Sequence, residues 1–272
     1  MNNIAQRSIT GILFLIVIIS AIIFSGYLFY LIFLAITFFG LYEFYNLLKI
    51  NNIRTNYIWG IIIGFALFTS IFIESFNLID NFSPIVVLPI IFVLFITELY
   101  KNNQVPFSCI AYSVLGVVYI ALPISLLSSF YGFAGGTSHL LLGYFILIWC
   151  FDTFAYLTGI TLGKHRLFER ISPKKSWEGF AGGTIITLFS SFILSKIFIE
   201  ISLLNWLVIS IIVIVCGTYG DLVESMFKRS LNTKDSGVIL PGHGGILDRF
   251  DAVFISSPFV YTYMVLITNY EL

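Results

Sequence analysis

Residues 203–221 read LLNWLVISIIVIVCGTYGD, and no charge appears until Asp221 closes the run. A helix needs roughly 20 apolar residues to cross about 30 Å of hydrocarbon, and this run has that length. In lipid every peptide N–H and C=O must find a partner within the protein, so an isolated apolar run of this kind reads as a helix. The same pattern recurs along the chain, at about 8–25, 28–47, 57–75, 84–100, 107–130, 139–161, 180–198 and 250–268. Together with 203–221 these segments predict an all-α integral membrane protein of about nine transmembrane helices.

Composition agrees with that reading. Of 272 residues, 58% are hydrophobic and only 10% charged, with a mean hydropathy of +0.99. Soluble domains carry about 25% charged residues, so most of this surface is expected to face lipid. The formal net charge is zero, which gives no pull toward nucleic acid. Cys109, Cys150 and Cys216 are single residues in apolar stretches and read as packing residues. The apolar stretch 9–25 follows Arg7 but lacks a convincing cleavage site, so it reads as the first span. Pro123 and Pro258 fall inside spans, and kinks are expected at both.

The basic residues set an orientation. With a cytoplasmic N-terminus, thirteen of the fourteen Lys and Arg side chains fall on the cytoplasmic side, and only Lys196 lies opposite. Such a bias follows the positive-inside rule and places the C-terminus outside. Spans one to five, within residues 1–135, are joined by short plain loops. Spans six to nine, within 136–272, are joined by two long polar cytoplasmic loops, so the chemistry is expected there. No internal repeat stands out.

The second of those loops, 225–251, reads SMFKRSLNTKDSGVILPGHGGILDRFD. A charged run beside a membrane helix is usually a solvated, orienting loop. Here Gly242, Gly244 and Gly245 bracket His243 and leave backbone N–H groups open to a phosphate. Lys228, Arg229, Lys234 and Arg249 surround them as anion partners. Asp221 ends the eighth predicted span and Asp248 begins the ninth, which suggests two carboxylates sharing one hard cation such as Mg2+. Asp251 follows Asp248 by three residues, while Glu224 and Ser225 follow Asp221 by three and four. Asp152 lies inside the sixth span, where a carboxylate costs about 2.5–3.5 kcal/mol on insertion scales and usually faces a wet cavity.

These motifs resemble the phosphatidate cytidylyltransferase family. The resemblance is carried by Ser225-Met-Phe-Lys-Arg229, Lys234-Asp235, Pro241-Gly-His-Gly-Gly245 and Asp248-Arg-Phe-Asp251. It is carried also by Ser172-Pro-Lys-Lys-Ser-Trp-Glu-Gly179, with Ser176 where threonine is usual, and by Asp152-Thr-Phe-Ala-Tyr-Leu-Thr-Gly159. It covers roughly residues 140–260; the first half matches only as hydrophobic spans.

The resemblance implies an enzyme of phospholipid biosynthesis that makes CDP-diacylglycerol and pyrophosphate from CTP and phosphatidic acid. It also implies Mg2+, a second cation such as K+, and a homodimer. On that reading Asp221 and Asp248 bind metal, and Lys228 and His243 complete the catalytic set, His243 as a phosphate contact. Lys174, Lys175, Ser176, Ser225, Arg229, Lys234, Asp235, Gly244, Gly245, Arg249, Asp251 and Asp152 line the substrates. The expected setting is a bacterial inner membrane, with phosphatidic acid drawn from the cytoplasmic leaflet.

Other candidates read as structural. Glu43 and Glu98 lie near Lys49 and Lys101 and are expected to snorkel or pair with them. Trp177 reads as an interfacial anchor, and His139 and His165 as ordinary interfacial residues. A secondary transporter and a polyprenol kinase are the competing readings. A transporter would concentrate polar residues at midplane on several helices, whereas here they crowd into two loops.

Overall fold

Apolar runs without internal breakers produce long helices. The computed structural model describes residues 3–133, 136–233, 236–237 and 244–270. In chain order the helices are α1 (Asn3–Phe24), α2 (Gly26–Ile50), α3 (Tyr57–Ser75), α4 (Leu88–Leu99), α5 (Pro106–Gly116), α6 (Leu122–Leu126) and α7 (Phe130–Phe133). They continue as α8 (His139–Leu162), α9 (Trp177–Ile197), α10 (Leu203–Ser230) and α11 (Leu247–Tyr270). Among the described residues, seven stretches are long and apolar enough to cross a membrane, beginning at Gly26, Tyr57, Pro106, His139, Trp177, Leu203 and Leu247. The first and fourth predicted spans correspond to α1, whose fully described part is the apolar stretch Thr10–Phe24, and to the shorter apolar stretch Pro84–Leu99. The chain is therefore an all-α membrane protein.

At Pro123 the expected irregularity takes a definite form: Val117–Ala121 is a π-helical turn immediately before α6. Proline lacks the N–H that would close the preceding turn, and a wider turn absorbs the mismatch. α11, by contrast, continues through Pro258.

Two local features depart from the predicted loops. α10 does not end at Asp221 but runs to Ser230, so Ser225, Lys228 and Arg229 are helical. Its 28 residues span ~42 Å at about 1.5 Å per residue. That exceeds the hydrocarbon thickness, so the polar end can project beyond it. The extension is supported by an i,i+4 ion pair, Glu224 to Lys228 at 2.7 Å. The loop after α8 is also ordered: β1 (Arg166–Phe168) and β2 (Ser172–Ser176) pair antiparallel, with Arg166 opposite Ser176.

The chain divides into two units. Unit 1 comprises residues 1–129 and 231–250; unit 2 comprises 130–230 and 251–272. In unit 1 the core is aromatic, with Phe29 stacked on Phe33 at 4.3 Å and Phe250 edge-on to Phe14 and Phe33. Ile246, Leu247 and Phe250 are buried there, so a segment remote in sequence is anchored among the first helices. In unit 2 the buried Tyr144 hydroxyl bonds Ser256 at 2.6 Å, and Trp206 fills the space beside Gly143.

Candidate active site

In unit 2 the approach of α8 to α9 is set by small residues. A Cβ on Gly179 would lie 2.6 Å from the Ala155 carbonyl oxygen, and one on Gly183 2.9 Å from the Ala155 Cβ. Small residues four apart let membrane helices approach closely, and Ala155, Gly159, Gly179 and Gly183 have that spacing. This packing fixes the face of α8 that carries Asp152 relative to the start of α9. Ser176 caps that start: its Oγ accepts from Gly179 N at 3.1 Å, and the residue is 4% exposed. Glu178, in the first turn, accepts from the backbone N–H groups of Lys164 at 3.0 Å and His165 at 3.2 Å. It also pairs with His165 Nδ1 at 2.6 Å. The hairpin is thereby pinned to α9, and His165 is a tether rather than a free interfacial side chain.

The hairpin delivers two lysines to different environments. Lys174 is exposed, whereas Lys175 is partly buried and forms an ion pair with Asp221. On the other side of Asp221, α10 meets α11 closely. A Cβ on Gly220 would come within 2.3 Å of the Asp251 carbonyl oxygen. The Asp251 carboxyl is then in electrostatic range of Asp221, Asp152 and Glu224. Lys228 neutralises Glu224, and both side chains are largely buried.

Unit 2 therefore gathers four carboxylates, from α8, α10 and α11, against the two amines of Lys175 and Lys228. Ser225 is partly buried and Arg229 exposed on the same helix, α10. Among the described residues, no group of three or more His, Cys, Asp and Glu side chains forms a ready-made metal shell. Mg2+ usually takes one or two carboxylates and completes its coordination with water and phosphate oxygens, so the groups of unit 2 that would hold such an ion are Asp221 and the carboxylates near Asp251.

In unit 1 Asp248 organises the turn that leads into α11. Its Oδ2 accepts from Gly245 N at 2.9 Å, from Ser236 Oγ at 2.7 Å and from Ser236 N at 3.3 Å. Gly244 has φ +83°, a left-handed conformation that glycine adopts without strain, and a Cβ there would sit 2.5 Å from Asp248 Oδ2. Beneath the turn lies Glu43 of α2, 3% exposed, whose Oε2 accepts from Leu247 N at 3.0 Å. Cβ atoms on Gly237 and Gly245 would meet its oxygens at 2.6 and 2.3 Å. Arg249 is exposed. Lys234, Asp235 and His243 lie outside the described residues.

Glu43 corrects an expectation. It does not pair with Lys49; it holds the first turn of α11, where a carboxylate also complements the helix dipole. The signal was its presence in an otherwise apolar span, which a membrane helix tolerates only with a partner. Ser236 was equally missed, although it adjoins the Lys234-Asp235 motif. Glu98, by contrast, pairs with Lys101 as expected, at 3.6 Å.

A profile of the cytidylyltransferase family matches residues 5–267. The chain belongs to that family. It is 33% identical over 215 residues to a phosphatidate cytidylyltransferase of Staphylococcus haemolyticus, covering 78% of this chain and 81% of the relative. The enzyme of the same name from Staphylococcus saprophyticus is 36% identical over 169 residues, covering 61% of this chain and 64% of its own. That from Staphylococcus aureus is 34% identical over a stretch of the same length and coverage. The family match takes in both the carboxylate cluster of unit 2 and the glycine turn of unit 1, and it extends through the first helices that the motif resemblance left uncovered.

Proposed function

We propose that this chain is a phosphatidate cytidylyltransferase that converts CTP and phosphatidic acid to CDP-diacylglycerol and pyrophosphate. The observation that carries the reading is the cluster of Asp152, Asp221, Glu224 and Asp251 with Lys175 and Lys228, in a member of the cytidylyltransferase family. A phosphate oxygen of phosphatidic acid attacks the α-phosphorus of CTP. The new P–O bond forms as the bond to the β-phosphate oxygen breaks, and its electron pair leaves with pyrophosphate. The attacking monoester is already anionic near neutral pH, so positioning and charge stabilisation supply most of the catalysis and a strong protein base is not required.

The residues divide by role. Lys175 and Lys228, paired with Asp221 and Glu224, would turn to phosphate oxygens when substrate binds. Lys174, Arg229 and Arg249 present exposed cations for the triphosphate and the lipid phosphate, and His243 contacts phosphate. Asp221 and Asp248 are assigned to Mg2+ on the sequence pattern. Bound Mg2+ would offset the charge that accumulates on the phosphate oxygens. A second cation such as K+ and a homodimer belong to the same reading. If the two aspartates act as a unit, Asp221→Asn, Asp248→Asn and the double substitution should cost nearly the same.

The orientation is part of the proposal: nine spans, with the N-terminus and active site on the cytoplasmic side, where CTP is available. In a cysteine-free background, an impermeant thiol reagent should label position 135 in intact cells and position 230 only after permeabilisation. The reverse pattern would invert the topology. For the activity itself, purified protein with α-labelled CTP, Mg2+ and phosphatidic acid should yield labelled lipid. Label that stays wholly in water-soluble products would refute cytidylyl transfer, and a parallel run with γ-labelled CTP and a polyprenol that labels the lipid would mark a kinase.

A further inference from the structure

Unit 1 contains a cavity of about 670 Å3 to which none of the signature residues contributes. It forms where the turn between α2 and α3 meets the end of α4 and the start of α5. The turn is rigid. Ile53 N bonds Leu48 O at 2.9 Å and Asn52 N bonds Lys49 O at 3.0 Å, while Asn52 adopts φ 60°. These are the paired bonds of a Schellman motif, with asparagine taking the left-handed position usually given to glycine. Lys49 and Arg54, on either side of it, are held at the mouth of the cavity.

The polar wall is largely self-satisfied. Glu98 is 2% exposed; its carboxylate accepts from Asn56 Nδ2 at 3.2 Å and from Asn103 Nδ2, and pairs with Lys101 at 3.6 Å. Asn56 N donates to Ser113 Oγ at 2.7 Å, and the Tyr45 hydroxyl to Ser113 O at 2.6 Å. One acid and one base thus cancel. The charge that remains is positive, since Lys49 and Arg54 are exposed and form no ion pair among the described residues. A pocket whose only uncompensated charged groups among the described residues are an ammonium and a guanidinium is suited to an oxyanion, the guanidinium offering two parallel N–H donors. At the rim, Tyr57 and Ile61 bring the apolar start of α3, where Ile58 and Ile62 are also exposed.

We propose that this cavity binds a phosphate group through Lys49 and Arg54, beyond the substrate positions of the transfer reaction. The group is carried by a membrane lipid whose chains lie along α3, or by a soluble phosphate such as pyrophosphate. Bound phosphate covers the Lys49 amine, so the test reads the acylation rate of Lys49 by peptide mass spectrometry in the intact protein. Lys164, an exposed lysine outside the cavity, serves as the internal comparison. It requires no turnover, so it stands apart from the activity assay.

The protein is placed in neutral phosphatidylcholine nanodiscs, in nanodiscs containing phosphatidic acid, and in neutral nanodiscs with added pyrophosphate. Protection of Lys49 relative to Lys164 by phosphatidic acid alone assigns the site to lipid; protection by pyrophosphate assigns it to a soluble anion. Either result is expected to weaken about tenfold in Arg54→Gln, the scale of losing a hydrogen bond to a charged group, and to persist in Arg54→Lys. Equal acylation of Lys49 in all three settings overturns the proposal, as does protection that survives Arg54→Gln unchanged.

Discussion

Glu43 Oε2 and the backbone nitrogen of Leu247 lie 3.0 Å apart although 204 positions separate them in the chain. The carboxylate closes an otherwise open N–H at the start of α11, directly below the turn built by Asp248, Ser236 and Gly245. Glu43→Ala removes the acceptor and leaves a buried donor unsatisfied, a loss of about 1–3 kcal/mol. Glu43→Gln keeps an oxygen at that position. Thermal denaturation in detergent should therefore rank wild type above Gln and Gln above Ala. Cytidylyl transfer should fall in the same order through kcat, because the displaced turn no longer holds Asp248 in place. Equal melting temperatures for Ala and wild type would remove Glu43 from this role.

The α8–α9 contact predicts a sharp size limit. Gly179→Ala puts a methyl 2.6 Å from the Ala155 carbonyl oxygen, and neither backbone can retreat without parting the helices. Overpacking of this kind costs about 1–3 kcal/mol or more. Gly132→Ala, where nothing lies within 4 Å, provides the contrast. The yield of monodisperse protein on size-exclusion chromatography should drop for Gly179→Ala and hold for Gly132→Ala.

The helices were legible because an apolar run in lipid has few alternatives, and most predicted spans fall within a few residues of the observed helices. The end of α10 was not. Hydropathy stops at Asp221, but backbone hydrogen bonding and the Glu224–Lys228 pair carry the helix on to Ser230. The hairpin was hidden for a different reason: β1 and β2 are short and polar, and their order depends on Glu178 gripping Lys164 and His165. At the candidate site the residue types were readable from Asp152, Lys175, Asp221 and Asp251. Their partners were not, since Lys175–Asp221 and Glu43–Leu247 join segments whose meeting no local pattern encodes.

Ser176 separates a structural role from a substrate role. Its hydroxyl caps α9 and is buried, so Ser176→Ala should lower stability by about 1 kcal/mol, while Ser176→Thr retains the cap. The KM for CTP should stay within about twofold of wild type in both, with the difference seen in melting temperature. A large rise in KM for Ser176→Ala at unchanged melting temperature would instead place the hydroxyl on substrate.

The ion pair between Lys175 and Asp221 sets cation and phosphate binding in opposition. The lysine offsets the same carboxylate cluster that would attract Mg2+, and on the proposed reading it would also supply a positive charge for the CTP phosphates. Lys175→Ala leaves the carboxylates with less compensation, so Mg2+ should bind more tightly while CTP binds more weakly. A gain of about 1.4 kcal/mol is a tenfold change, and the removal of one charge at a partly screened site is of that order. Asp221→Asn should shift Mg2+ the other way, since it removes a carboxylate and frees the amine. The first readout is the Mg2+ concentration that half-maximally raises the melting temperature without nucleotide, which reports binding alone. The second is the KM for CTP at saturating Mg2+. Lys175→Ala should lower the first and raise the second. If Mg2+ stabilises wild type, Lys175→Ala and Asp221→Asn at the same concentration, the metal does not reach this cluster, and Lys175 acts on phosphate alone.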